Sequence, residues 1–193
     1  MSVARAVFVV FVGVVATCLA ALPCTAQQPI AISENFSSQL SFMGLKQEWY
    51  VDYDAQLRAT IDSASGLRSV QINRTLYNIN VAAQHCIVSQ LKDGMQPMWA
   101  WLKTANYSGR CGFGEGRRYD AIIDRNTQYS LCAARPNGQT EYLPLQFLVQ
   151  QESSQTQFLF YDYFPLAPGR GNFTVPAYCP SPSPAPRESH RQS

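Results

Sequence analysis

Between Gln47 and Cys86 the apolar residues recur at every second position, and no other feature restricts the possible folds as strongly. Trp49, Val51 and Tyr53 alternate with Glu48, Asp52 and Asp54, and Leu57, Ala59 and Ile61 alternate with Arg58, Thr60 and Asp62. A helix would space its apolar side chains three and four apart, so a period of two predicts strands with one wet face. Ser69-Val70-Gln71-Ile72-Asn73 and Leu76-Tyr77-Asn78-Ile79-Asn80-Val81 continue the series. Connections as short as Ser63-Ala64-Ser65-Gly66 make neighbouring strands antiparallel. The result is a meander, which needs a cover for its apolar face.

The remainder of the chain extends that pattern. His85 to Leu91 fits a strand end or a short helix equally well, and Lys92-Asp93-Gly94 is a turn signal. Pro97-Met98-Trp99-Ala100-Trp101-Leu102 is apolar without a clean period, as expected of a covering segment or a loop beside a cavity. Gly109, Gly112, Gly114 and Gly116 mark a loop around Cys111; the run lacks the Lys-Ser/Thr of a phosphate-binding loop. Residues 119–124 and 128–132 read as paired strands, Pro136-Asn137-Gly138 as a turn, and Leu143, Leu145, Phe147 and Val149 as another strand. Phe158, Phe160 and Phe164 alternate with Leu159, Tyr161 and Tyr163, so this last strand is apolar on both faces. Eight or nine strands and at most two short helices are expected, a mainly β chain.

The ends have other compositions. Arg5 followed by the apolar run from Ala6 to Ala16 and by Cys24-Thr25-Ala26 predicts a signal peptide over residues 1–26. A single β domain is expected over residues 27–179, and a proline-rich, unstructured tail over residues 180–193. Cys18 and Cys24 leave with the leader, so Cys86, Cys111, Cys132 and Cys179 remain, an even number that predicts two disulfides with three connectivities open. No pair has the CxxC spacing of a structural zinc site. Asn35, Asn73, Asn106 and Asn172 each begin an N-glycosylation sequon, which independently favours a secreted, extracellular protein. Lys and Arg number 15 against 13 Asp and Glu, a balance that argues against a nucleic-acid partner.

Catalytic machinery is not evident. His85 and His190 are the only histidines; one abuts Cys86, and the other lies in the expected tail. Glu48, Asp52 and Asp54 on one strand face would stand roughly 7 Å apart at each step of two residues. That spacing describes a solvated face, a calcium site at Asp52 and Asp54, or an acid pair of the glycosidase kind. No catalytic residue is assigned, and calcium is the one cofactor considered. Trp49, Val51, Tyr53, Tyr77, Ile79, Phe147, Phe158 and Phe160 are expected to line the core or a ligand cavity.

Tyr50-Val51-Asp52-Tyr53-Asp54, Arg58, Leu76-Tyr77-Asn78-Ile79, Cys86 and Leu91, followed by Pro97, Cys111 and Phe173-Thr174-Val175-Pro176-Ala177-Tyr178-Cys179, resemble the ependymin-related family of secreted proteins over residues 42–179. The resemblance implies a LolA-like half-barrel: curved antiparallel sheets partly wrapped around a hydrophobic cavity, with one or two short helices. It also implies an extracellular glycoprotein associated with calcium and the matrix that binds lipid-like ligands. By order along the chain, Cys86 would pair with Cys179, leaving Cys111 with Cys132. The family's N-terminal cysteine is missing from residues 27–42. The expected function is therefore binding of a lipid or fatty-acid-like ligand in a β cavity; a homodimer is compatible with it. The alternative is a matrix or adhesion protein acting through calcium and protein contacts.

Overall fold

The computed structural model describes residues 30–112 and 115–182. The expected leader lies outside the described residues, as does the tail from residue 183 onward. Eleven strands form one antiparallel sheet: β1 (Phe36–Phe42), β2 (Leu45–Asp52), β3 (Leu57–Asp62), β4 (Leu67–Ile72), β5 (Thr75–Asn80), β6 (His85–Gln90), β7 (Asn106–Cys111), β8 (Gly116–Ile122), β9 (Thr127–Ala134), β10 (Leu143–Gln151) and β11 (Ser154–Phe164). Their order across the sheet is β6-β5-β4-β3-β2-β1-β11-β10-β9-β8-β7. Two meanders thus meet where β1 pairs with β11, and the sheet stays open, with β6 and β7 as its edges.

Local chemistry accounts for the hairpins. Met43 and Gly44 connect β1 to β2 with positive φ at both residues, a mirror-image turn whose twist matches the flanking strands. Asp62 closes the β3–β4 turn by accepting from the Ala64 and Ser65 amides and the Ser65 hydroxyl. The only helical pieces among the described residues are 3-10 turns, Ala100–Lys103 and Arg170–Phe173.

Two strands go beyond the sequence reading. β1 begins at Phe36, ahead of the alternation that starts at Gln47, and escapes a sequence reading because its Ser37, Ser38, Gln39 and Ser41 dilute the apolar signal of Phe36, Leu40 and Phe42. β7 occupies part of the glycine-rich stretch read as loop. Its disulfide partner explains the glycine nearest to it: a Cβ on Gly116 would come within 2.8 Å of Cys132 Sγ and 2.9 Å of Cys111 Sγ. The bridge crosses directly over β8 at that residue and fastens edge strand β7 to β9.

Residues directly opposite one another in antiparallel strands share a face. By that register Phe36, Leu40 and Phe42 of β1 share a face with Trp49 and Val51 of β2 and with Phe158, Phe160 and Tyr163 of β11. Phe147, Leu131 and Tyr119 continue this face across β10, β9 and β8. Residues 95–105 lie over it as a strap and contribute Met95, Trp99 and Leu102 to the buried cluster. On the other half of the sheet the covered side is the opposite one. Tyr50, Ala59, Val70, Tyr77 and Val88 line up across β2 to β6 and pack with Phe173, Val175 and Cys179 of the C-terminal segment. The Cys86–Cys179 disulfide fastens that segment to edge strand β6. Strand β2 is therefore the point at which the sheet exchanges its dry side.

Candidate functional site

The consequence of that exchange is a face on β3 to β6, on the same side as the aromatic cluster, that no segment among the described residues covers. There Thr60, Ser69 and Asn78 stand in one row, next to the row of Asp62, Leu67, Asn80 and His85. With Gln47 and Ile87 they surround a cavity of about 500 Å³. A second cavity, of about 320 Å³, is lined by Gln39, Leu40, Lys46, Gln47, Glu48, Ser63 and Tyr161. Gln47 belongs to both, and its Oε1 accepts the Trp49 indole N–H at 3.0 Å.

The lining combines two chemistries. Ser69 donates to Asn78 Oδ1 at 2.8 Å, which aligns a hydroxyl with an amide on the floor. Asn80 Oδ1 accepts the Ala83 amide and so faces its own turn through its oxygen, leaving the NH2 end as donor. Apolar surface borders these groups: Leu67 is 49% exposed and Ile87 55%. On the far side of Gln47 the half-buried ring of Trp49 meets Phe158 edge-on with centroids 5.6 Å apart, and Phe158 stacks on Phe42 at 4.9 Å. Amide and hydroxyl groups beside an apolar border suit a ligand with a polar end and an apolar body.

The eight residues expected to line a core or cavity separate into two groups. Trp49, Val51, Tyr53, Phe147, Phe158 and Phe160 belong to the strap-covered cluster, whereas Tyr77 and Ile79 belong to the cluster under Phe173. The strap fills the first of these: Trp99 packs against Phe147 and Phe160 at 5.8 and 6.1 Å. Of the eight, Ile79 alone lines the 500 Å³ cavity. Most of the other lining residues do not stand out in the sequence, because each is a polar residue on a face that reads as solvated. No periodicity distinguishes such a residue from a ligand contact.

Glu34 holds the strap. Its two carboxylate oxygens accept the Met98 and Trp99 amides at 2.7 and 2.9 Å, and burial raises its pKa above the ordinary carboxylate range. Gln56 Oε1 accepts the Met95 amide at 2.9 Å at the strap's start. Tyr163 donates to the Ser33 carbonyl at 2.7 Å beneath it, and burial pushes this phenol far above its usual range.

The acidic row needs correction. β2 ends at Asp52, so Asp54 lies in the following turn and does not share a strand face with Glu48. Asp52 Oδ1 accepts the Ala55 amide at 3.0 Å within its turn, whereas Asp54 Oδ2 accepts Asn35 Nδ2 at 2.7 Å and ties the turn to the segment before β1. Among the described residues no group of three or more His, Cys, Asp or Glu side chains is placed to hold a metal ion. His85 is exposed at the start of β6 and lines the cavity. Of the sequon asparagines, Asn73 and Asn106 are exposed, whereas Asn35 and Asn172 are half-buried. The disulfides are Cys86–Cys179 and Cys111–Cys132, the pairing that the family resemblance implies. Two disulfides are compatible with an extracellular chain, and among the described residues no helix is long and apolar enough to cross a membrane.

No family model matches the chain, and no curated protein matches it. A crystal structure described as an uncharacterized conserved protein from Thermus thermophilus is similar in fold, with a TM-score of 0.52 and 12% identity over 74% of this chain and 85% of that one. At that identity the likeness concerns the fold alone.

Proposed function

We propose that the chain is a non-enzymatic extracellular binding protein for an amphipathic, lipid-like molecule held on the uncovered face beside the aromatic cluster. The observation that carries this reading is the cavity of about 500 Å³ on that face, floored by Ser69 and Asn78 and bordered by the exposed side chains of Leu67 and Ile87. The ligand's polar end would exchange hydrogen bonds with Thr60, Ser69, Asn78 and Asn80. Its apolar body would cover Leu67 and Ile87, at about 25 cal/mol per Å² removed from water before association costs. The resemblance to the ependymin-related family supports a lipid-like ligand of an extracellular protein. The filled aromatic cluster moves that ligand out of the interior to the seam beside it. Calcium has no part in this reading, because Asp52 and Asp54 accept hydrogen bonds from Ala55 and Asn35 and, among the described residues, no third acidic, His or Cys side chain joins them.

A delipidated sample should bind a fluorescent fatty acid at micromolar concentration. Leu67→Asp with Ile87→Asp, at two exposed positions, should weaken that binding about tenfold or more. Full affinity in the double variant would remove the site. Failure of every amphiphile to bind would favour the second reading, a matrix protein working through protein contacts, which the strap-filled aromatic cluster supports.

A further inference from the structure

Arg110 and Arg117 stand directly opposite each other on β7 and β8, and both are exposed. Opposed residues bring their Cβ atoms to about 5 Å, where two like charges repel. Arg117 also lies beside Ala133 of β9, and Arg135 follows one residue after that strand ends. The Arg135 guanidinium sits 5.8 Å from the Tyr142 ring centroid. Tyr142 is 6.4 Å from Tyr119, and Tyr119 is 6.0 Å from Tyr107, so an aromatic row underlies the three cations. The groups that favour the charged form of Arg117 are the Tyr119 hydroxyl first, then Tyr142 and Tyr107; no carboxylate is among them. Glu115, exposed at the tip of the same hairpin, is the nearest acid in sequence.

We propose that this corner of the sheet binds a sulfated polysaccharide, with Arg110 and Arg117 sharing one sulfate group and Arg135 meeting a neighbouring acidic group. A cross-strand arginine pair is destabilising alone and becomes favourable when an anion lies between its members, because guanidinium forks match the geometry of tetrahedral oxyanions. β7 is the edge of the sheet, so among the described residues no further strand covers the patch and a long polymer can lie across it. Three cations over one row of rings form a local site, unlike the broad basic face that nucleic acid demands, and the whole chain carries a net charge of only +2. The exposed tyrosine ring of Tyr107 offers a flat surface to the C–H face of a sugar.

The test is calorimetric titration of the full chain with a fully sulfated heparin oligosaccharide at several salt concentrations. The expected result is binding that weakens as salt rises and falls about tenfold or more in R110Q/R117Q, the loss expected when two charge-assisted contacts are removed. R135Q should lose less, and R74Q/R125Q, at exposed arginines of distant turns, should bind as the native chain does. R110Q/R117Q should also melt no lower than the native chain, since a repulsion has been relieved. If that variant does not fold, the single substitutions R110Q and R117Q give the same reading. Native affinity in R110Q/R117Q, equal loss in R74Q/R125Q, or equally tight binding of duplex DNA or anionic vesicles would each overturn the assignment.

Discussion

The strap over residues 95–105 depends on Glu34 more than on any other polar residue, and Glu34→Ala measures by how much. The substitution removes acceptors from two backbone amides, Met98 at 2.7 Å and Trp99 at 2.9 Å, in a segment whose Trp99 is 3% exposed. A hydrogen bond to a charged group contributes about 1.5–3 kcal/mol, but the carboxylate itself is desolvated, which reduces the net effect of the pair to about 2–3 kcal/mol. In a domain of this size each kcal/mol moves the melting temperature by about 2–4 °C, so a fall of about 4–12 °C is expected. Hydrogen exchange should accelerate at Met98 and Trp99 first. Glu34→Gln, which keeps one acceptor oxygen, should fall between the two. The pH dependence has a definite sign. Burial raises the folded pKa above the unfolded one, so the folded chain holds the proton more tightly in the interval between them. That contribution is complete below the ordinary glutamate pKa and disappears as the pH rises through the raised value, so the margin of the native chain over Glu34→Gln should shrink from acid toward neutral pH. An unchanged melting temperature in Glu34→Ala, with unchanged protection at Met98 and Trp99, would refute the claim that this carboxylate fastens the strap.

Two further changes examine the disulfide-fastened edges. Gly116→Ala would place a methyl within 2.9 Å of both sulfurs of the Cys111–Cys132 bridge, so a loss of about 1–3 kcal/mol is expected from overpacking, together with free thiols detectable by alkylation; native stability with no free thiol would contradict that packing. Cys86→Ala with Cys179→Ala removes a link between residues 93 apart in sequence, for which the chain-entropy estimate is about 4–5 kcal/mol. Unfolding in urea should show that loss, and proteolysis should cut the segment around Phe173 first; persistence of its protection would show that packing alone retains it.

Several levels of this structure can be read directly from the residues. The alternation in β2, β3 and β5 needs no tertiary information, because neighbouring side chains of a strand point to opposite sides whatever it pairs with. The strap is legible as an apolar segment without a period, and Trp99 and Leu102 are buried there. β1 is not, because Ser38 is buried despite its hydroxyl and interrupts the apolar count. β7 is not, because its residues are mostly exposed at an edge and only Cys111 turns inward. The candidate cavity is the least legible part. Thr60, Ser69, Asn78 and Asn80 are ordinary solvent-facing residues until the register aligns them.

The sequence therefore determined that this chain is a β meander with cysteines enough for two bridges, since strand period and thiol count are properties of the residues themselves. Only the tertiary structure decided which side of each strand became dry. Trp49 and Val51 turn toward the strap, while Leu57 and Ala59, one hairpin later, turn toward Phe173. Both strands carry the same alternation. The side is fixed by the pairing of Val51 with Arg58 and of Tyr50 with Ala59, and by which distant segment arrives to cover each half. Strand period is local chemistry, whereas choosing between two faces is a contest between covers brought together by the whole chain.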